Sequence, residues 1–121
     1  MTRVRLRAGR TAALLAILIV GAFSSVAYAG FINGTPDNDT LNGTNNADII
    51  DGRGGDDSIK GNGGNDQIQG GGGIDTIDGG SGNDIINVDG GGQDFVKCGS
   101  GSDIVFAGNN DIVDGDCENV L

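Results

Sequence analysis

Histidine and tryptophan are absent from this 121-residue chain, and proline, tyrosine and methionine occur once each. Without histidine it lacks the commonest general base and the commonest side-chain metal ligand, and a Cys-His nucleophile pair cannot be built. No enzyme activity is expected. Basic residues are scarce beyond residue 29, where Arg53, Lys60 and Lys97 alone stand against all 17 acids, a net charge of −14. Such a surface repels nucleic acid and anionic membranes and suits the binding of cations. Aromatics in that stretch are limited to Phe31, Phe95 and Phe106, too few for a conventional packed core. Its 23 glycines in 92 residues would, on composition alone, point to disorder.

The start of the chain is of opposite character. MTRVRLRAGR carries Arg3, Arg5, Arg7 and Arg10 and no acid, an apolar run extends from Thr11 to about Phe23, and Ala27-Tyr28-Ala29 follows. A basic start, a short apolar run and a small-residue site predict a secretory signal peptide over residues 1–29, cleaved between Ala29 and Gly30. An uncleaved anchor is the alternative, but the run falls short of the ~20 apolar residues a membrane span needs. Residues 30–121 are then expected to be a secreted, extracellular domain with no membrane span, in a compartment where thiols oxidise.

Order appears as a period of nine. Aspartates recur at Asp39, Asp48, Asp57, Asp66, Asp75 and Asp84. Two residues after each stands an aliphatic, from Leu41 and Ile50 to Ile86, and five residues before each stands a glycine, from Gly34 to Gly79. The register then slips. Asp94 comes ten after Asp84, Asp103 nine later and Asp111 only eight later, which places one insertion near Val88-Asp89 and one deletion near Asn109-Asn110. The glycine half of each unit suits a tight turn with φ > 0, and its last three residues suit a short strand whose middle side chain points inward. The aspartate at the turn's exit offers a hard anionic oxygen. Calcium takes six to eight such oxygens, so one unit supplies about half a shell and two stacked turns complete it.

These units resemble the hemolysin-type, or RTX, calcium-binding nonapeptide G-G-x-G-x-D-x-U-x. Residues 70–78 and 79–87 match in full; 52–60 and 61–69 carry Arg53 and Asn62 for one glycine; the first two units depart at Thr35, Pro36 and Asp37 and at Thr44, Asn45 and Asn46. The resemblance implies an all-β fold, a parallel β-roll in which two successive units make one coil and calcium sits between units stacked on one edge. The implied metal ligands are Asp39, Asp48, Asp57, Asp66, Asp75, Asp84, Asp94 and Asp103. They pair as 39/57, 57/75 and 75/94 on one edge and as 48/66, 66/84 and 84/103 on the other, which allows up to about six Ca2+ ions. Asp51, Asp56, Asp78 and Asp89 fall where the motif is open and read as solvated charge.

Cys98 stands where glycine opens a unit, and Cys117 lies 19 residues on. With an 18-residue coil implied, the two fall on neighbouring coils of one edge. A disulfide between them is expected to pin a C-terminal cap over about residues 98–121, where a redox or metal-binding pair is the alternative.

Rival readings compete with this one. Asn-Gly and Asp-Gly pairs recur along the repeats, and each could close a type I′ hairpin and give an antiparallel meander, but Gly-Gly runs make poor strands. A phosphate-binding glycine loop fails because aspartate occupies the third-glycine position. Residues just before the inward aliphatic should point outward, as Thr40, Ser58, Thr76 and Phe95 on one sheet and Ile49, Gln67, Ile85 and Ile104 on the other. The functional expectation is a secreted calcium-binding protein that folds on binding calcium and acts as a structural or interaction module. Its alternatives are an accessory or secretion tail like those of RTX enzymes and toxins, and a surface adhesion protein.

Overall fold

The computed structural model describes residues 30–121, so the expected signal peptide over residues 1–29 lies outside the described residues. Eleven short strands follow one another: β1 (Gly30–Asn33), β2 (Thr40–Asn42), β3 (Asp48–Asp51), β4 (Ser58–Lys60), β5 (Gln67–Gln69), β6 (Thr76–Asp78), β7 (Ile85–Val88), β8 (Phe95–Lys97), β9 (Ile104–Ala107), β10 (Ile112–Val113) and β11 (Asn119–Val120). Odd-numbered strands form one sheet in the order β1-β3-β5-β7-β9-β11, and even-numbered strands form the other, β10-β8-β6-β4-β2. Every pairing is parallel. The chain is therefore a two-sheet β-solenoid of about five coils, and the antiparallel meander does not form.

The nine-residue period sets this architecture because each strand is only as long as the segment between two turns. In Ser58-Ile59-Lys60 the two outer side chains are exposed and Ile59 is buried, the alternation a half-buried strand requires. Stacked coils align these centres: Leu41 against Ile59, Ile59 against Ile77 and Ile77 against Val96 in one sheet, with Ile50, Ile68, Ile86 and Val105 in the other. The two rows meet in one thin core, extended by Val88 and Cys98. Each isoleucine so buried contributes roughly 1.5–3 kcal/mol. The outward rows also stand where expected, Thr40-Ser58-Thr76-Phe95 on one sheet and Ile49-Gln67-Ile85-Ile104 on the other.

Both register slips are absorbed in turns. Ser58 pairs with Thr76 at a spacing of 18, but Thr76 pairs with Phe95 at 19 and Phe95 with Ile112 at 17. The extra residue lies in the turn after Val88, where Gly90 and Gly91 both take positive φ. Cys98 and Cys117 are disulfide-bonded with Cα atoms 5.2 Å apart, and Cys98 is fully buried. No helix among the described residues is long and apolar enough to cross a membrane.

Candidate metal centres

Parallel stacking turns the aspartate period into two ladders, one along each edge of the solenoid. Along the first, the backbone N–H of Asp39 donates to Oδ1 of Asp57 at 2.8 Å, Asp57 to Asp75 at 2.9 Å, and Asp75 to Asp94 at 2.7 Å. Along the second, Asp48 donates to Asp66, Asp66 to Asp84 and Asp84 to Asp103, each at 2.8 Å. All eight aspartates expected from the sequence thus stand in the two ladders, in the predicted pairs.

In the six accepting carboxylates, one oxygen is satisfied by that bond. The other is not. Oδ2 of Asp57, Asp66, Asp75, Asp84, Asp94 and Asp103 is buried and has no hydrogen-bond partner. Buried polar atoms in folded proteins are nearly always paired, so six orphaned oxygens at one repeat position require a common explanation. Glycine at the head of the unit keeps the space beside four of them, Asp57, Asp66, Asp75 and Asp84, open: a Cβ at Gly52 would lie 2.6 Å from Oδ2 of Asp57, and one at Gly70 2.7 Å from Oδ2 of Asp75.

The electrostatics agree with this geometry. Burial pushes the Asp66 carboxyl up from 3.8 to about 7; the N–H of Asp48 opposes the rise, and the charges of Asp84 and Asp48 add to it. Burial likewise raises Asp75 and Asp84 to about 6, with the carboxylates stacked on them contributing. Asp57, Asp94 and Asp103 shift upward for the same first reason. Such a site favours either a bound proton or a bound cation. The donor set is hard oxygen throughout, with no imidazole or thiolate, which fits calcium and not a soft transition metal. Cys98, Asp116 and Cys117 also cluster, but the two sulfurs are bonded to each other and offer no thiolate.

Asp39 and Asp48 differ from the other six. Oδ2 of Asp39 accepts from the N–H and the hydroxyl of Thr35, at 2.6 and 2.9 Å. Oδ2 of Asp48 accepts from the same groups of Thr44, at 2.6 and 3.0 Å. What reads in the sequence as decay of the glycine motif is a pair of hydrogen-bonded turns.

Two acids outside the expected set join the ladders, and a third lies beside them. Asp111 accepts the N–H of Asp94 at 3.0 Å and Glu118 that of Asp103 at 2.9 Å, while Asp116 accepts from Cys98 and Gly99. Asp111 is in register with the aspartate series and was legible from it; Glu118 is neither an aspartate nor nine residues from one. The residues before six of the ladder aspartates add a second, outer ladder. Asn38 Oδ1 accepts from Asp56 N–H and Asp56 Oδ1 from Ile74 N–H, while on the other edge Asn65 takes Asn83 and Asn83 takes Ser102. Asp56 is thus more than solvated charge, although its side chain is exposed.

With this geometry in view, residues 33–68 and 60–92 match the family model of the RTX calcium-binding nonapeptide repeat, four copies. The chain belongs to the RTX calcium-binding repeat family. Its repeats are calcium-binding repeats on a parallel β-roll. No curated protein and no solved structure matches the chain significantly.

Proposed function

We propose that residues 30–121 form a secreted calcium-binding module that folds as Ca2+ enters the turns of the roll, and that it serves as a structural or interaction module. The observation that carries this reading is the set of six buried carboxylate oxygens without a donor. In water the unfolded chain solvates these groups freely. In the roll they lose that solvation, and among the described residues no N–H, hydroxyl or cationic side chain replaces it. Stacked carboxylates ~5 Å apart add a repulsion of roughly 1–3 kcal/mol per pair, depending on the effective dielectric. Summed along two ladders this rivals the ~5–15 kcal/mol that holds a whole domain together. A divalent ion beside each Oδ2 converts the penalty into attraction, and six ions nearly cancel the net −14. When bound, calcium supplies charge neutralisation and cross-links neighbouring coils; the aspartates hold it, and the glycines keep the turn open to it.

No catalytic step is assigned to the chain, and secretion rests on the basic, apolar and small-residue order of its first 29 residues. Calcium titration of the purified protein, followed by far-ultraviolet circular dichroism, tests the function. A disordered spectrum in chelator should become a β spectrum with a midpoint on the order of 10⁻⁴–10⁻³ M, the common range for extracellular modules, and magnesium should not substitute. A β spectrum unchanged by excess chelator, or equal folding by magnesium, refutes the proposal.

A further inference from the structure

We infer that the cation array runs one coil further toward the C-terminus than the aspartate spacing implies, with Asp94–Asp111 and Asp103–Glu118 as its last two sites and no ion held in the turns of Asp39 and Asp48. This rests on the calcium reading above and deepens it. Backbone, carboxylates and stacking partners all change character at the same boundaries.

The backbone changes first. Each of the six units that carry Asp57 to Asp103 has two residues at positive φ, beginning with Arg53 at 71° and Gly55 at 87° and ending with Gly99 at 91° and Gly101 at 129°. Among the described residues, no residue before Arg53 or after Gly101 has positive φ. Arginine in the left-handed region is costly, so the turn conformation there is imposed by the coil and not by local preference. In that conformation the second residue's N–H leaves its own aspartate, and Arg53 N–H donates instead to Asp51 Oδ1.

The carboxylates change at the same boundary. Thr35 and Thr44, at ordinary φ, aim both N–H and hydroxyl at Oδ2 of Asp39 and Asp48. Two hydrogens already occupy the position where a cation would stand, and their partial positive charge repels one. From Asp57 onward those donors are gone and Oδ2 is orphaned.

The far boundary is set by stacking. Asp94 and Asp103 are fully buried with Oδ2 unpartnered, so each needs a ligand from the coil that follows. Asp111 and Glu118 are there, each accepting the N–H of Asp94 or Asp103 as an inner aspartate accepts from the one before it. Asp111 Oδ2 is already held by Gly108 N–H at 2.7 Å, so Asp111 closes the site of Asp94 and opens none of its own. Glu118 has one more methylene than aspartate and reaches the ladder from the bend just before β11, only 15 residues on. The sites are then 57/75, 75/94 and 94/111 on one edge and 66/84, 84/103 and 103/118 on the other: the count of six stays, the register moves.

Native mass spectrometry of the calcium-saturated protein counts the ions directly. Six are expected for the unaltered chain, five for Asp111→Asn, five for Glu118→Gln and six for Asp39→Asn. Loss of an ion from Asp39→Asn, or six ions retained by both C-terminal variants, overturns the shifted register while leaving calcium binding intact. An unaltered chain that holds no calcium overturns both readings. Thr35→Gly with Asp37→Gly guards against a C-terminal variant that fails to fold, because it should gain a seventh ion; a count still at six removes Thr35 as the group that excludes one.

Discussion

The backbone N–H of Asp66 donates to Oδ1 of Asp84 across neighbouring coils at 2.8 Å, while Oδ2 of Asp84 is buried without any donor. One carboxylate thus does two jobs: it ties the coil behind it by a hydrogen bond and presents a bare oxygen to a cation. Asp84 belongs to two stacked pairs, with Asp66 behind and Asp103 ahead. Asp84→Asn, which keeps the shape and the acceptor oxygen but removes the charge, should therefore weaken two calcium sites. Asp56→Ala lies outside the inner ladder and should leave the ion count unchanged. Its lost bond to Ile74 N–H should cost about 0.5–1.5 kcal/mol. Calorimetric stoichiometry paired with a thermal melt separates the two effects. Equal loss of ions from both variants would contradict the ladder.

The fold was largely legible because its signal is a period, and periods survive local decay. Ile59, Ile77 and Val96 fall in one column although an insertion separates the last two, since the turn and not the strand takes up the extra residue. The inner aspartates were legible for the same reason. Glu118 was not, because a disulfide-bonded cap brings it to the ladder at a spacing the repeat does not have. Thr35 and Thr44 look like lost glycines in one dimension; only the direction of their N–H and hydroxyl groups in the folded turn distinguishes a satisfied carboxylate from an orphaned one.

The metal-free roll should be stabilised by acid, the reverse of the usual behaviour of salt-bridged carboxylates. Asp66 has a folded value near 7 against 3.8 for the ordinary group, and Asp75 and Asp84 stand near 6. A carboxyl raised in the fold binds more protons folded than unfolded, so its stabilising effect is complete below about 4 and is lost as pH rises through 6 to 7. In chelator, the β signal should grow as pH falls from about 7 toward 4. Calcium affinity should weaken over the same window, because protons and the ion compete for the same oxygens. A metal-free β signal that increases with pH would contradict this.

Cys98 is fully buried and Cys117 partly so, and their bond closes the irregular last coil. Intact mass should show two hydrogens fewer than the reduced chain. Replacing both cysteines by serine should cost roughly 3 kcal/mol, in keeping with a loop of about 20 residues, and the loss should be local. Amide hydrogen exchange in calcium should rise across β9 to β11 while β4 to β7 stay protected. Uniform loss of protection along the whole roll would mean that the coils are more tightly coupled than a stack of nearest neighbours.

Two adjacent glycines in the same turn should respond oppositely to alanine. Gly71 has φ of 93°, and a Cβ there would collide with the backbone carbonyl of Arg53 in the coil below. Neither clash nor conformation can relax without moving two coils apart, because Gly72 N–H is already bonded to that same Arg53 oxygen at 2.7 Å. Gly71→Ala should therefore destabilise the calcium-loaded roll by more than the ~1–2 kcal/mol of the left-handed conformation alone. Gly72 has ordinary φ, and its nearest obstacle to a Cβ is the Arg53 oxygen at 3.9 Å, an unstrained contact. Gly72→Ala restricts the unfolded chain without straining the folded one, so it should be neutral or stabilise by about 0.4–1 kcal/mol. Because folding follows the metal, both effects should appear in the midpoint of a calcium titration: higher for Gly71→Ala, unchanged or lower for Gly72→Ala. The pair shares composition, neighbours and helix or strand propensity, so a difference between them reports turn geometry alone. Equal shifts would mean that the tight approach of Gly71 to the coil below is absent in solution.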